Sequence, residues 1–109
     1  MDIFTNDKNK PCTGMRYVLT GIFHCVDDRK QIQKLITNLG GKVTSAVSGV
    51  TNVLLYGHKL EDGRDSSESN KYKKSEKLGK LLVNEEQFSD KLKEITGKSL
   101  SEHLGVSMV

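Results

Sequence analysis

Between Asn52 and Tyr56 the chain reads NVLLY, and nothing polar interrupts Val53-Leu54-Leu55. A strand with one wet face alternates apolar and polar residues. A strand without alternation is covered on both faces, as in a parallel sheet enclosed by helices. This run constrains the fold more than any other feature. Three further runs agree with it: a strand over residues 16 to 20 around Tyr17-Val18-Leu19, a short one at Lys42-Val43-Thr44, and another at Leu81-Leu82-Val83. Between the first two of these, Ile32, Leu35, Ile36 and Leu39 recur at helical spacing and form one apolar face. Asp28 and Gln31 have the spacing of a capping box at its start, and Gly40-Gly41 closes it, the first glycine suiting a left-handed cap. Close packing beneath the first strand is the expected use of the pair. KYKKSEKLG reads as a short lysine-rich helix ended by Gly79. Asn84 with Gln87 caps a last helix whose stripe is Phe88, Leu92 and Ile95, and a short helical piece is expected around Ser99 to His103 before the end frays. Strand, helix, strand, strand, helix, strand, helix is the order of an α/β fold: a four-stranded, mostly parallel sheet flanked by three helices.

At 109 residues, 35% of them hydrophobic and none Trp, the chain has material for one core. Residues 1 to 14 are polar, contain the sole proline, Pro11, and are expected to form a flexible lead-in. The domain is expected over residues 15 to 96, with 97 to 109 as an extension. No stretch has the apolar length of a bilayer span or the core of a signal peptide. The chain reads as soluble and intracellular, with no membrane partner. Cys12 and Cys25 lack metal-ligand spacing and read by default as free thiols in a reducing compartment, although sequence leaves a disulfide between them open. His24, His58 and His103 show no ligand spacing and read as surface or packing residues. Glu61, Asp62 and Asp65 lie in the polar loop over residues 57 to 70 without the EF-hand pattern, and read as a solvated loop. No paired-carboxylate or Ser-His-Asp arrangement is present, so the chain is expected to be a binding module rather than an enzyme, with no cofactor or metal.

The net charge of +3 is small, but Lys71, Lys73, Lys74, Lys77 and Lys80 fall within ten residues. Thr20-Gly21 ends the first strand, and in open α/β sheets ligands bind beyond the carboxyl ends of strands, where the strand order switches. YVLTG, NLGGKVTSAVS, TNVLLYG and SNKYKKSEKLGKLLVNEEQF, in this order and spacing, resemble a BRCT domain over residues 14 to 95. The resemblance is strongest to the single BRCT of the replication factor C large subunit and of NAD-dependent DNA ligases. Many BRCT domains carry a Trp in the third helix; here Phe88 is the expected substitute. The loop over residues 57 to 70 is longer than usual for the family.

The resemblance implies a phosphate pocket built from the Thr20 hydroxyl, the Gly21 N–H and a lysine of the second helix, Lys71 or, one turn later, Lys74. The replication factor C subclass implies an arginine at the start of the first helix, and Arg29, eleven residues before Gly40, matches that spacing. Cations at a helix start oppose its dipole, which favours a functional reason for Arg29. Such a set resembles a site for the 5′-phosphate at a recessed end of duplex DNA, with Lys42, Lys73 and Lys77 along neighbouring backbone phosphates. The parent protein then acts in DNA replication or repair, in the nucleus of a eukaryote or the cytoplasm or nucleoid of a bacterium. The same pocket also suits a phosphoserine or phosphothreonine peptide of a phosphoprotein. A third reading is a protein–protein interaction module that needs no phosphate. The subclass resemblance also implies a DNA-contacting helix before the first strand, which residues 1 to 14 are not expected to form.

Overall fold

A computed structural model describes residues 3 to 26 and 28 to 105. The elements follow the expected order: β1 (Arg16–Thr20), α1 (Lys30–Asn38), β2 (Lys42–Thr44), β3 (Val53–Tyr56), α2 (Asn70–Lys77), β4 (Leu81–Asn84) and α3 (Glu85–Thr96), with α4 (Leu100–Leu104) added at the end. All strand pairs are parallel and the order across the sheet is β2-β1-β3-β4. The chain leaves β1 toward one edge and returns to its other side as β3, so the switch in strand order falls between β1 and β3. Thr20 and Tyr56 are partners at the carboxyl ends of those two strands.

Both faces of the sheet are covered, as the unbroken run in β3 requires. Val53 and Leu55 join Tyr17 and Leu19 in the larger core, packed with Ile32 and Ile36 of α1 and Phe88 and Leu92 of α3. Leu54 and Val18 point the other way, into a smaller core with Val47, against which Tyr72 of α2 packs. Among the described residues no helix is long and apolar enough to cross a membrane.

The caps differ in their agreement with sequence. Asn84 and Gln87 form a reciprocal capping box on α3, and Ser99 with Glu102 does the same on α4. At α1 the carboxylate of Asp28 accepts the Lys30 N–H at 2.9 Å, one residue earlier than a capping box would, and Arg29 already has helical dihedrals. Gly40 has φ +91°, the left-handed cap expected of it. The close packing of Gly40-Gly41 is against the N-terminal segment rather than under β1: a Cβ on Gly40 would lie 2.6 Å from Thr13 Oγ1, and one on Gly41 2.8 Å from Cys12 Cβ.

That segment corrects the expectation of a flexible lead-in over residues 1 to 14. From residue 3 onward it is a packed loop. Phe4 sits in the larger core 4.9 Å from the Phe88 ring, Pro11 and Cys12 are buried, and the Tyr17 hydroxyl donates to the Ile3 carbonyl at 2.6 Å. The physical reason is volume: Phe88 alone leaves room beside Tyr17, and Phe4 fills it. Leu100 is likewise buried in the core, so residues 97 to 105 belong to the folded unit. The expected fraying beyond it, at 106 to 109, lies outside the described residues.

Ser75 on α2 is fully buried, and its hydroxyl has no hydrogen-bond partner among the described residues. Leaving a hydroxyl dry and unpaired costs about 1–3 kcal/mol, and Ala is also the better helix former. Ser75→Ala is expected to stabilise the fold by about 1 kcal/mol. A lower midpoint in urea unfolding would contradict this.

Candidate functional site

The switch point between β1 and β3 determines what can meet there. The loop after β1 leads into α1 and the loop after β3 leads into α2, so both helices begin beside the same crevice. Thr20, Gly21, Arg29, Ser69, Asn70 and Lys71 line one open depression of about 440 Å³, together with Leu60, Glu61, Asp62 and Arg64 of the long loop. Four of the residues expected to form a site are thus brought together: Thr20, Gly21, Arg29 and Lys71.

The floor is rigid. Gly21 has φ +86°, a conformation that side-chain-bearing residues rarely adopt, and a Cβ there would stand 2.7 Å from the Lys59 carbonyl. The Gly57 N–H donates to the Thr20 carbonyl at 2.9 Å, and Ile22 and Lys59 are tied by a bridge in which the Ile22 N–H donates at 2.7 Å. Any Cβ on Gly57 would collide with the Ile22 carbonyl, so glycine is needed on both chains of this crossing. Thr20 is only 6% exposed, and its hydroxyl makes no hydrogen bond to the described residues.

A cation stands at each of the two helix starts, Arg29 at α1 and Lys71 at α2. Neither Arg29 nor Lys71 has an ion-pair partner among the described residues. Burial holds the Lys71 ammonium below the usual lysine range, and the charge of Arg29 lowers it further. Two cations close enough to disfavour one another, with no carboxylate of the described residues in an ion pair with either, create a site where an anion relieves repulsion. The carboxylate of Asp62 is paired to Arg64 Nε at 2.6 Å, and Glu61 is the other acid of the rim.

Lys74, the alternative lysine, is exposed one turn further along α2 and does not line the depression. Lys73 and Lys77 are exposed on the same helix outside it. Lys42 is placed elsewhere: it opens β2 opposite Arg16, about 13 Å along the strands from Thr20, at the amino end of the sheet.

Several positioning residues have no motif in the sequence. Ser69 caps α2 by accepting the Tyr72 N–H at 3.0 Å, and its place just before the lysine-rich segment is the one signal that marks it. Glu85, the first residue of α3, accepts the N–H groups of His24 and Cys25 at 2.6 and 2.8 Å and so pins the loop that carries Arg29. The rings of His24 and His58 stack at 3.8 Å, joining the two loops that flank the crevice. Among the described residues, no cluster of His, Cys, Asp or Glu has the arrangement to hold a metal ion. Both thiols are free; burial pushes Cys12 up to about 11, and burial with the Glu85 carboxylate pushes Cys25 up to about 12, so neither is a thiolate at neutral pH.

These features define a small α/β domain, covered on both sheet faces, with a cationic crevice at its switch point. The chain belongs to the BRCA1 C Terminus (BRCT) domain family, whose profile matches residues 7 to 91. It is similar to the DNA ligase of Thermosipho africanus, 36% identical over 81 residues that make up 74% of this chain and 11% of the ligase. It is also similar to the DNA ligases of Nautilia profundicola, 38% identical over 84 residues (77% and 11%), and Clostridium botulinum, 37% identical over 87 residues (80% and 12%). The chain spans about a tenth of the length of these curated relatives.

Proposed function

We propose that this BRCT domain is a binding module that captures the 5′-phosphorylated end of duplex DNA within replication or repair machinery. The observation that carries this reading is the convergence on Thr20-Gly21 of Arg29 and Lys71, neither of which has an ion-pair partner among the described residues. A terminal phosphate has close to two negative charges and three acceptor oxygens. The Thr20 hydroxyl and Gly21 N–H supply donors at the floor, Arg29 grips two oxygens at once, and Lys71 adds a point charge. The start of α2 adds positive potential on the same side. The DNA ligase relatives and the replication factor C resemblance both support DNA as the carrier of that phosphate. Exposed Lys73, Lys74 and Lys77 support contact with backbone beyond the end. The domain contributes binding, and chemistry belongs to whatever enzyme carries it.

The test is a titration of two recessed duplexes that differ only in a 5′-phosphate or 5′-hydroxyl. The phosphorylated end is expected to bind about tenfold or more tightly, since hydrogen bonds to charged groups contribute about 1.5–3 kcal/mol. Equal binding would remove the pocket. A phosphopeptide that binds more tightly than the phosphorylated duplex would reassign the same pocket to a protein ligand.

A further inference from the structure

Arg64 lines the same depression but lies on its rim, in the loop over residues 57 to 70. We propose that Arg64 forms a second anion position, taking the internucleotide phosphate next to the terminal one. This rests on the terminal-phosphate reading of the crevice.

The loop is built to present this side chain. Leu60 is buried and anchors it, the Leu60 N–H donates to the Arg64 carbonyl at 2.8 Å, and the Gly63 N–H donates back to the Leu60 carbonyl at 2.9 Å. Gly63 has φ +88° and turns the chain between them. The Asp62 carboxylate accepts both the Arg64 backbone N–H at 3.1 Å and its Nε at 2.6 Å. Those bonds hold the Asp62 carboxyl below the usual carboxylate range, so it stays ionised beside the guanidinium. Arginine has five N–H donors; among the described residues only the Nε–H has a partner, the Asp62 carboxylate, which leaves the two terminal amino groups for a ligand.

The floor and the rim differ in character. Thr20 and Gly21 are buried, whereas the Arg64 side chain is 56% exposed. A doubly charged end group fits the enclosed floor, and a singly charged diester fits a half-neutralised arginine in open solvent. Asp62 also lowers the repulsion of a third cation near Arg29 and Lys71 while the crevice is empty.

The experiment compares Arg64→Ala with the wild-type chain on the phosphorylated and hydroxyl-ended duplexes across a salt series, with thermal unfolding as the folding control. The variant is expected to bind both duplexes about three- to fivefold more weakly, the range of an exposed ion pair. The slope of log affinity against log salt is expected to fall by about one unit on both, as for a single lost phosphate contact. The preference for the phosphorylated end should survive. Unchanged affinity and slope would overturn the proposal, as would loss of the end preference with the slope intact, which would put Arg64 in the terminal pocket. A wild-type chain with no end preference, whose variant still loses one unit of slope, would remove the pocket reading and leave Arg64 as a backbone contact.

Discussion

Arg29→Ala is expected to bind the 5′-phosphorylated duplex about 30-fold more weakly than the wild-type chain, a loss of about 2 kcal/mol from one charge-assisted, two-point contact. The hydroxyl-ended duplex should lose much less, because on the proposed reading Arg29 holds the group that this end lacks. Stability should move the other way or stay level. Arg29 makes no ion pair among the described residues, sits unfavourably at a helix start, and repels Lys71. Removing it relieves that repulsion in the free protein. A drop in binding without a drop in melting temperature separates a residue kept for a ligand from one kept for the fold. Fluorescence anisotropy on the two duplexes, with thermal unfolding on the same samples, reads both. An equal loss on both ends would assign Arg29 to general backbone attraction. A clear fall in melting temperature would assign it to structure.

Phe88→Ala should be the most damaging of the core truncations, at about 3–5 kcal/mol. The ring is fully buried, with the Tyr17 ring edge-on at 6.4 Å and 87° and the Phe4 ring at 4.9 Å. Three elements distant in the chain meet on this one side chain, so none can close the cavity without leaving its own contacts. Against a total stability of about 5–15 kcal/mol, the loss would lower the melting temperature by roughly 15 °C. Phe88→Leu, which keeps most of the volume, is expected to cost about 1.5 kcal/mol or less. Urea unfolding that gave similar midpoints for the two variants would show that ring packing is not what holds this end of the core.

Much of the fold was legible because its signals are periodic. The helical spacing of Ile32, Leu35, Ile36 and Leu39 and the unbroken run in β3 each admit one arrangement relative to a sheet. Local sequence places Thr20-Gly21 at a strand end, whereas Arg29 and the grouping of these residues as a site come from the BRCT resemblance. Lys71 was separated from Lys74 only by the structure, since a single turn of helix decides which one faces the crevice. Lys42 lies away from the crevice for a reason that topology contains: in a parallel sheet, a residue that opens a strand lies at the opposite end from one that closes its neighbour. Phe4 could not be read at all. One aromatic among polar residues has no period, and its partner Phe88 is more than eighty residues away. Glu85 acts through contacts with His24 and Cys25 that only the folded chain brings together.

The packed stretch before β1 bears on how such a domain is exchanged between proteins. Phe4, Pro11 and Cys12 fill the larger core and the groove under Gly41, yet in sequence they read as tether. The unit that evolution can transplant intact therefore starts well upstream of the first strand. A transfer that began at β1 would leave the host protein to supply those residues, or an equivalent aromatic, from its own linker.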